Sequence, residues 1–145
     1  MTRILESGKV SGYAIVWGSH DNPDLQGEYF TPETELNIPD ELALYIGEPL
    51  PENRIGTAKI QPDGHGVYVS GQIEPHINKF GVNIPVGYYH ALQDILHLAS
   101  IGSKSEVSDN GRINKFPIMG IVLTATPVQP PQGDEINDKE IIDNE

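Results

Sequence analysis

Apolar and polar positions alternate most cleanly between Gly66 and Ile73, where Val67, Val69 and Ile73 are interleaved with Tyr68, Ser70 and Gln72. A period of two is the pattern of a half-buried strand. Arg54 to Ile60 is a second strand-like run, and the QPDGHG between them contains Asp63-Gly64, a strong hairpin signal. Lys9 to Trp17 (KVSGYAIVW) has the β-branched and aromatic content of a strand, with Gly12 as its candidate bulge. Two stretches predict helices instead. IPDELALYIG has Pro39 in its first turn, Asp40 and Glu41 near its start and Gly47 as a stop. Pro85 to Leu98 reads as the main helix, because Val86, Tyr89, Leu92 and Leu96 recur at steps of three and four.

Ala99 to Val107 predicts another strand, and SDNGRI with Asn110-Gly111 predicts a turn into a long strand from Ile113 to Thr126. The order is strand, helix, hairpin, long helix, strand pair. It predicts an α+β fold, a small bent sheet or β-barrel flanked by helices. One domain over residues 1–128 is expected, followed by an acidic, Pro-rich tail or arm at 129–145. The chain shows no internal repeat.

Composition narrows the function more than the fold. With no cysteine, disulfides, thiolate metal sites and cysteine nucleophiles are excluded. The net charge of −12 argues against nucleic acid as a direct partner, since phosphates need cations to neutralise them. No run approaches the ~18 apolar residues of a membrane span. MTRILESGKVSG lacks the apolar region of a signal peptide, so synthesis in a cytoplasm is expected. Acidity is concentrated in two places. Residues 21–52 hold nine acids and no Lys or Arg, and residues 129–145 hold six acids against Lys139. Such surfaces serve solubility, or match a basic partner.

Four segments, in order, resemble the prohead maturation proteases of tailed phages. VSGYAIVWGSHDNPDLQGEYFTPETEL looks like that family's opening strand and the acidic-aromatic segment after it. RIGTAKIQPDGHGVYVSGQI is similar to its hairpin, YYHALQDILHLASIGS to its helix and Ser-bearing strand, and GRINKFPIMGIVLTATPVQPP to its closing strand. The resemblance covers roughly residues 10–131. It implies a herpesvirus-assemblin-like β-barrel flanked by helices, housing a serine endopeptidase that trims capsid and scaffold proteins.

The same resemblance places the nucleophile on Ser100 of LASIGS. It places the family's His on Gly47, or on Ile46 with a slip of one, and its Glu on Gly120, with the following Ser on Val122. Two of three catalytic roles are thereby missing, and no His occurs between Asp21 and Gly64. A Ser hydroxyl needs an adjacent base near neutral pH, and without one only ~10³–10⁴-fold catalysis over water remains. Substitutes are poor. His97 sits at the expected helix-to-strand junction, and Lys104 is about 13 Å from Ser100 along an extended strand. His65 falls in a turn, and His76 and His90 reach Ser100 only if the fold brings them there. His20 with Asp21, Asp24 and Glu28 matches no compact calcium loop, and an Asx-turn accounts for the residues better. No metal and no cofactor is therefore expected.

The resemblance, with those two roles lost, implies a phage head protein, located in the capsid or prohead, with an inactive protease fold that binds the major capsid protein. Scaffold, chaperone, minor-capsid and decoration roles all fit, and a homo-oligomer is compatible with each. The expected contacts for a basic capsid surface are Glu28, Glu33, Glu35, Asp134 and Glu135. Two alternatives stand beside this reading: an active maturation protease using Ser100, and a cellular β-barrel binding module that only looks similar.

Overall fold

A computed structural model describes residues 2–19, 21–102 and 105–127. The expected tail at 129–145, with Asp134 and Glu135, lies outside the described residues. Among the described residues eleven strands run in chain order: β1 (Arg3–Ile4), β2 (Lys9–Val16), β3 (Leu42–Ile46), β4 (Arg54–Pro62), β5 (Gly66–Ile73), β6 (His76–Ile77), β7 (Asn83–Ile84), β8 (His97–Gly102), β9 (Glu106–Val107), β10 (Ile113–Lys115) and β11 (Ile118–Thr124). Seven of them form one sheet in the order β1-β2-β5-β4-β3-β11-β8, and β9-β10 and β6-β7 are separate two-stranded ribbons. The sheet curls into a half-barrel. Its curl brings β2 back toward the far edge, so that Cα atoms of β2 and β8 lie within 8 Å.

The α+β expectation is overturned. Among the described residues 50% are strand and 7% helical, and no helices flank the sheet. At the first expected helix, residues 42–46 are a central strand, parallel to β11 on one side and antiparallel to β4 on the other. Leu42 and Leu44 are buried while Ala43 and Tyr45 are less so. That is a period of two hidden inside a run of apolar letters, and a short run of this kind carries no decisive helical period.

Pro85 to Leu98 is not a helix either. A 3-10 turn covers Tyr88–Leu92, with the Tyr88, His90 and Gln93 N–H groups each donating to the carbonyl three residues back. Side chains eclipse every three residues in such a turn. The steps Val86, Tyr89 and Leu92 carried that period of 3.0, not 3.6. From His97 the chain is extended, joining the sheet as its edge strand β8.

Where local turn chemistry sets the structure, expectation and structure agree. In the β4–β5 hairpin, Asp63 Oδ1 accepts N–H bonds from His65 (2.8 Å) and Gly66 (3.2 Å). Gly111 turns β9 into β10 with φ of 92°. The bulge in β2 falls between Tyr13 and Ile15, however, not at Gly12, which pairs in register with Val69. The long strand expected over 113–126 is two strands. Pro117, which has no N–H to donate, separates β10 from β11. The strand expected over 99–107 is likewise divided between β8 and β9.

One core fills the curl. Ile4, Ile15, Leu44, Val67, Val69, Ile73, Ile121 and Leu123 are fully buried. The acidic segment 28–36 crosses one end of it, held by backbone bonds to the β9–β10 ribbon. Tyr29 N–H donates to Gly111 O, Ile113 N–H to Tyr29 O, and Phe116 N–H to Glu35 O. Thr34 is buried there, and its hydroxyl donates to Ile113 O at 2.6 Å.

Two glycines let strands approach where a side chain cannot fit. A Cβ on Gly66 would collide with Ile15 O, and one on Gly56 with Gln72 O, both backbone atoms of paired strands. Gly66→Ala and Gly56→Ala are each expected to cost ~3 kcal/mol, as overpacking in a rigid setting does. Urea unfolding should read that loss, while Gly64→Ala, with open space around it, serves as the control.

Candidate functional site

Ser100 lines a cavity of about 180 Å³ in the seam between β2 and β8. Ala14 of the β2 bulge, Phe30 and Phe116 supply apolar wall, and Asp24 and Glu28 supply carboxylates. Phe30 and Phe116 meet edge to face at 5.0 Å. Phe116 packs onto the backbone of Gly102, where a Cβ would meet its ring atoms at 2.7–2.8 Å. Glycine at 102 thus lets the aromatic lid sit flush on β8. The cavity is smaller than the ~300–1,000 Å³ of ordinary small-molecule pockets, and matches a single side chain.

Strand register decides what surrounds the Ser100 hydroxyl. Directly opposite in β11 is Ile121, and beyond it in β3 is Leu44, both fully buried. Residues facing each other across a ladder point to the same side of the sheet. The position paired with Ser100, and the next one across the sheet, are therefore apolar. Gly120 pairs with Ile101, one step out of phase, and so lies on the opposite face, where its missing Cβ would meet the Tyr45 ring at 3.1 Å. Gly47 lies past the end of β3, its N–H donating to Leu123 O at 2.8 Å. It is three residues along and two strands across from Ser100, about 14 Å away by sheet spacing. The fold brings neither Gly47 nor Gly120 to the hydroxyl.

Histidines do not fill the gap. His97 is in β8 opposite Thr124, on the other face from Ser100. His90 Nδ1 lies 2.7 Å from Ile4 O, tying the 3-10 turn to β1. His76 stacks on Tyr89, with Nε2 3.2 Å from the Tyr89 hydroxyl and Nδ1 2.9 Å from Glu74 O. His65 packs edge-on against Tyr13 at 6.0 Å. Among the described residues no imidazole lines the cavity. His20 and Lys104 lie outside the described residues.

The carboxylates divide into two kinds. Asp24 Oδ1 accepts N–H bonds from Gln26 (2.8 Å) and Glu28 (2.9 Å), while Asp24 N–H donates to Glu28 O at 2.6 Å. This is an Asx-type turn, and it commits Asp24 to holding its own loop. Glu28 is half-buried at the cavity, whereas Glu33 and Glu35 are exposed. Among the described residues no group of three or more His, Cys, Asp or Glu is placed to hold a metal ion.

Sequence reasoning missed the seam itself. The pairing of Ser100 with Ile121, and the approach of β2 to β8, leave no local mark in the chain. Only the Ser-Ile-Gly letters and the Phe116 ahead of Pro117 hinted at a tight contact there. Comparison with protein-family models, with curated proteins and with solved structures finds no match to this chain.

Tyr89 lies in a setting that shifts its ionisation. Burial, and then the neighbouring Tyr88, raise its phenol above the ordinary value of 10.0. This phenol then ionises at lower pH in the unfolded chain than in the folded one, so its contribution to stability is constant below about pH 10 and is lost as pH rises through the folded value. Denaturant unfolding between about pH 8 and about pH 11 should show this loss, shallower in Tyr89→Phe. That variant also loses the contact with His76, at about 1 kcal/mol near neutral pH.

Proposed function

We propose that this chain is a tailed-phage head protein, related to the prohead maturation proteases, which binds the major capsid protein instead of cutting it. What carries the reading is the environment of Ser100. A serine stands where the resemblance puts a nucleophile, yet its strand neighbours are Ile121 and Leu44, and no described imidazole approaches it. A hydroxyl with no adjacent base attacks no peptide carbonyl at a useful rate. The helices implied by the resemblance are missing from the described residues. The proposal therefore rests on the order of the four segments and on Ser100, not on overall architecture.

Partner contact is assigned to the acidic segment, where Glu33 and Glu35 are exposed on backbone fixed to β10. Attraction of this kind to a basic capsid surface sets on-rate and register, and weakens with salt. Co-sedimentation with shells of the major capsid protein tests it. Binding is expected for the full chain and for Ser100→Ala, and is expected to fall about tenfold in Glu33→Lys/Glu35→Lys or on raising salt from ~50 to ~500 mM. Failure to bind, or indifference to both changes, would refute the proposal.

One observation favours the second reading, an active endopeptidase. Ser100 and the half-buried Glu28 share a cavity with room for one substrate side chain. A fluorophosphonate probe decides between the two. The binding reading predicts no stoichiometric labelling, and labelling abolished by Ser100→Ala would establish the nucleophile.

A further inference from the structure

The β6–β7 hairpin belongs to neither the half-barrel sheet nor the Ser100 seam. It forms its own ladder, His76 with Ile84 and Ile77 with Asn83, outside the seven-stranded sheet. Its tip is tightly built. Asn78 N–H donates to Val82 O, Asn78 Oδ1 accepts from Phe80 and Val82 N–H at 2.9 and 3.0 Å, and Gly81 N–H closes on Asn78 O. Its root is anchored by Ile84 in the core and by His76 stacked on Tyr89. An ordered element of this kind is expected to keep its apolar side chains covered. Instead Phe80 is 78% exposed, with Ile77, Val82 and Tyr88 also open to solvent. Contiguous exposed apolar surface marks a contact.

Charge indicates what the contact is with. Residues 75–93, around the hairpin, carry no acidic residue in a chain of net charge −12, and Lys79 sits beside Phe80, its Nζ 5.4 Å from the ring centre. The complementary surface is on the same protein. A groove of about 380 Å³ opens on the outside of β4 and β5, walled by Ile38, Ile60 and Tyr68 and edged by Asp40. Glu41 follows Asp40 in the acidic segment, and Lys59 is the basic residue lining the groove. No hairpin residue lines this groove within one molecule. The space exceeds the volume of a phenylalanine side chain.

We propose that the hairpin is a docking arm for a second copy of this chain, Phe80 seating in the neighbour's groove against Ile38, Ile60 and Tyr68, with Lys79 facing Asp40 and Glu41. Arm and groove are different patches, so the contact joins unlike surfaces and links copies either reciprocally or head to tail. Like-charged chains repel overall, and a local match of opposite charge is what fixes one relative placement.

Sedimentation velocity of the full chain over a micromolar range tests this. The chain is expected to self-associate by mass action, and Phe80→Asp and Ile38→Asp should each weaken association at least about tenfold, as loss of a central anchor does. Mixing the two variants should restore a dimer that grows no further, since the mixture offers one intact arm and one intact groove. Because Phe80 is a surface residue, Phe80→Asp should keep the wild-type unfolding midpoint. Should Ile38→Asp unfold, Lys79→Glu and Asp40→Lys, each weakened alone and restored on mixing, supply the same readout. A chain that stays monomeric throughout, a Phe80→Asp variant that associates like wild type, or mixtures without recovery would overturn the proposal. None of these outcomes depends on capsid binding or on Ser100.

Discussion

The structure depends on β11 lying between β3 and β8. This strand comes last among the described elements, yet it occupies an interior place, parallel to β3 on one side and antiparallel to β8 on the other. Ile121 and Leu123 are fully buried along it. Without it the sheet is a five-stranded fragment ending at β3, with a bare apolar edge, and β8 has no partner. The sheet is therefore completed by contacts that are distant in sequence, for which loop closure must be overcome before the ladder bonds form.

From that placement the seam follows. Because β8 hangs on β11, the curl of the sheet carries it round to β2, and the space left by the β2 bulge becomes the cavity at Ser100. The same register turns Ser100 toward Ile121 and Leu44 and turns Gly120 away. The apolar setting of the hydroxyl is thus a consequence of sheet pairing. A base presented from the paired strands would have to replace one of the fully buried side chains that hold the centre of the sheet, at the usual cost of burying an unpaired polar group.

The acidic surface is positioned by the backbone. Segment 28–36 is stitched to β10 through main-chain bonds, which leaves the exposed carboxylates of Glu33 and Glu35 uninvolved in holding it. Loop geometry and surface charge are in this way decoupled. The hairpin arm repeats the arrangement with opposite character, its shape fixed by Asn78 and its apolar side chains left outward. One chain therefore presents an acidic face and an acid-free apolar arm from a common core.

Features written locally were legible in the letters: β2, the β4–β5 hairpin with its Asp63 turn, and the Asn110-Gly111 turn. Each is set by alternation or by a side chain bonding its own backbone within a few residues. The letters misled at 38–47 and 85–98. There a few apolar residues at mixed spacing suit a helix, a 3-10 turn or a strand alike, and the choice lay with ladder partners far along the chain. Leu42–Ile46 became a strand because β4 and β11 were there to pair with it. Ser100 could be picked out as a residue, but its side of the sheet, its distance from Gly47 and its apolar neighbours were decided only by tertiary register, because a shift of one residue in pairing moves every side chain to the other face.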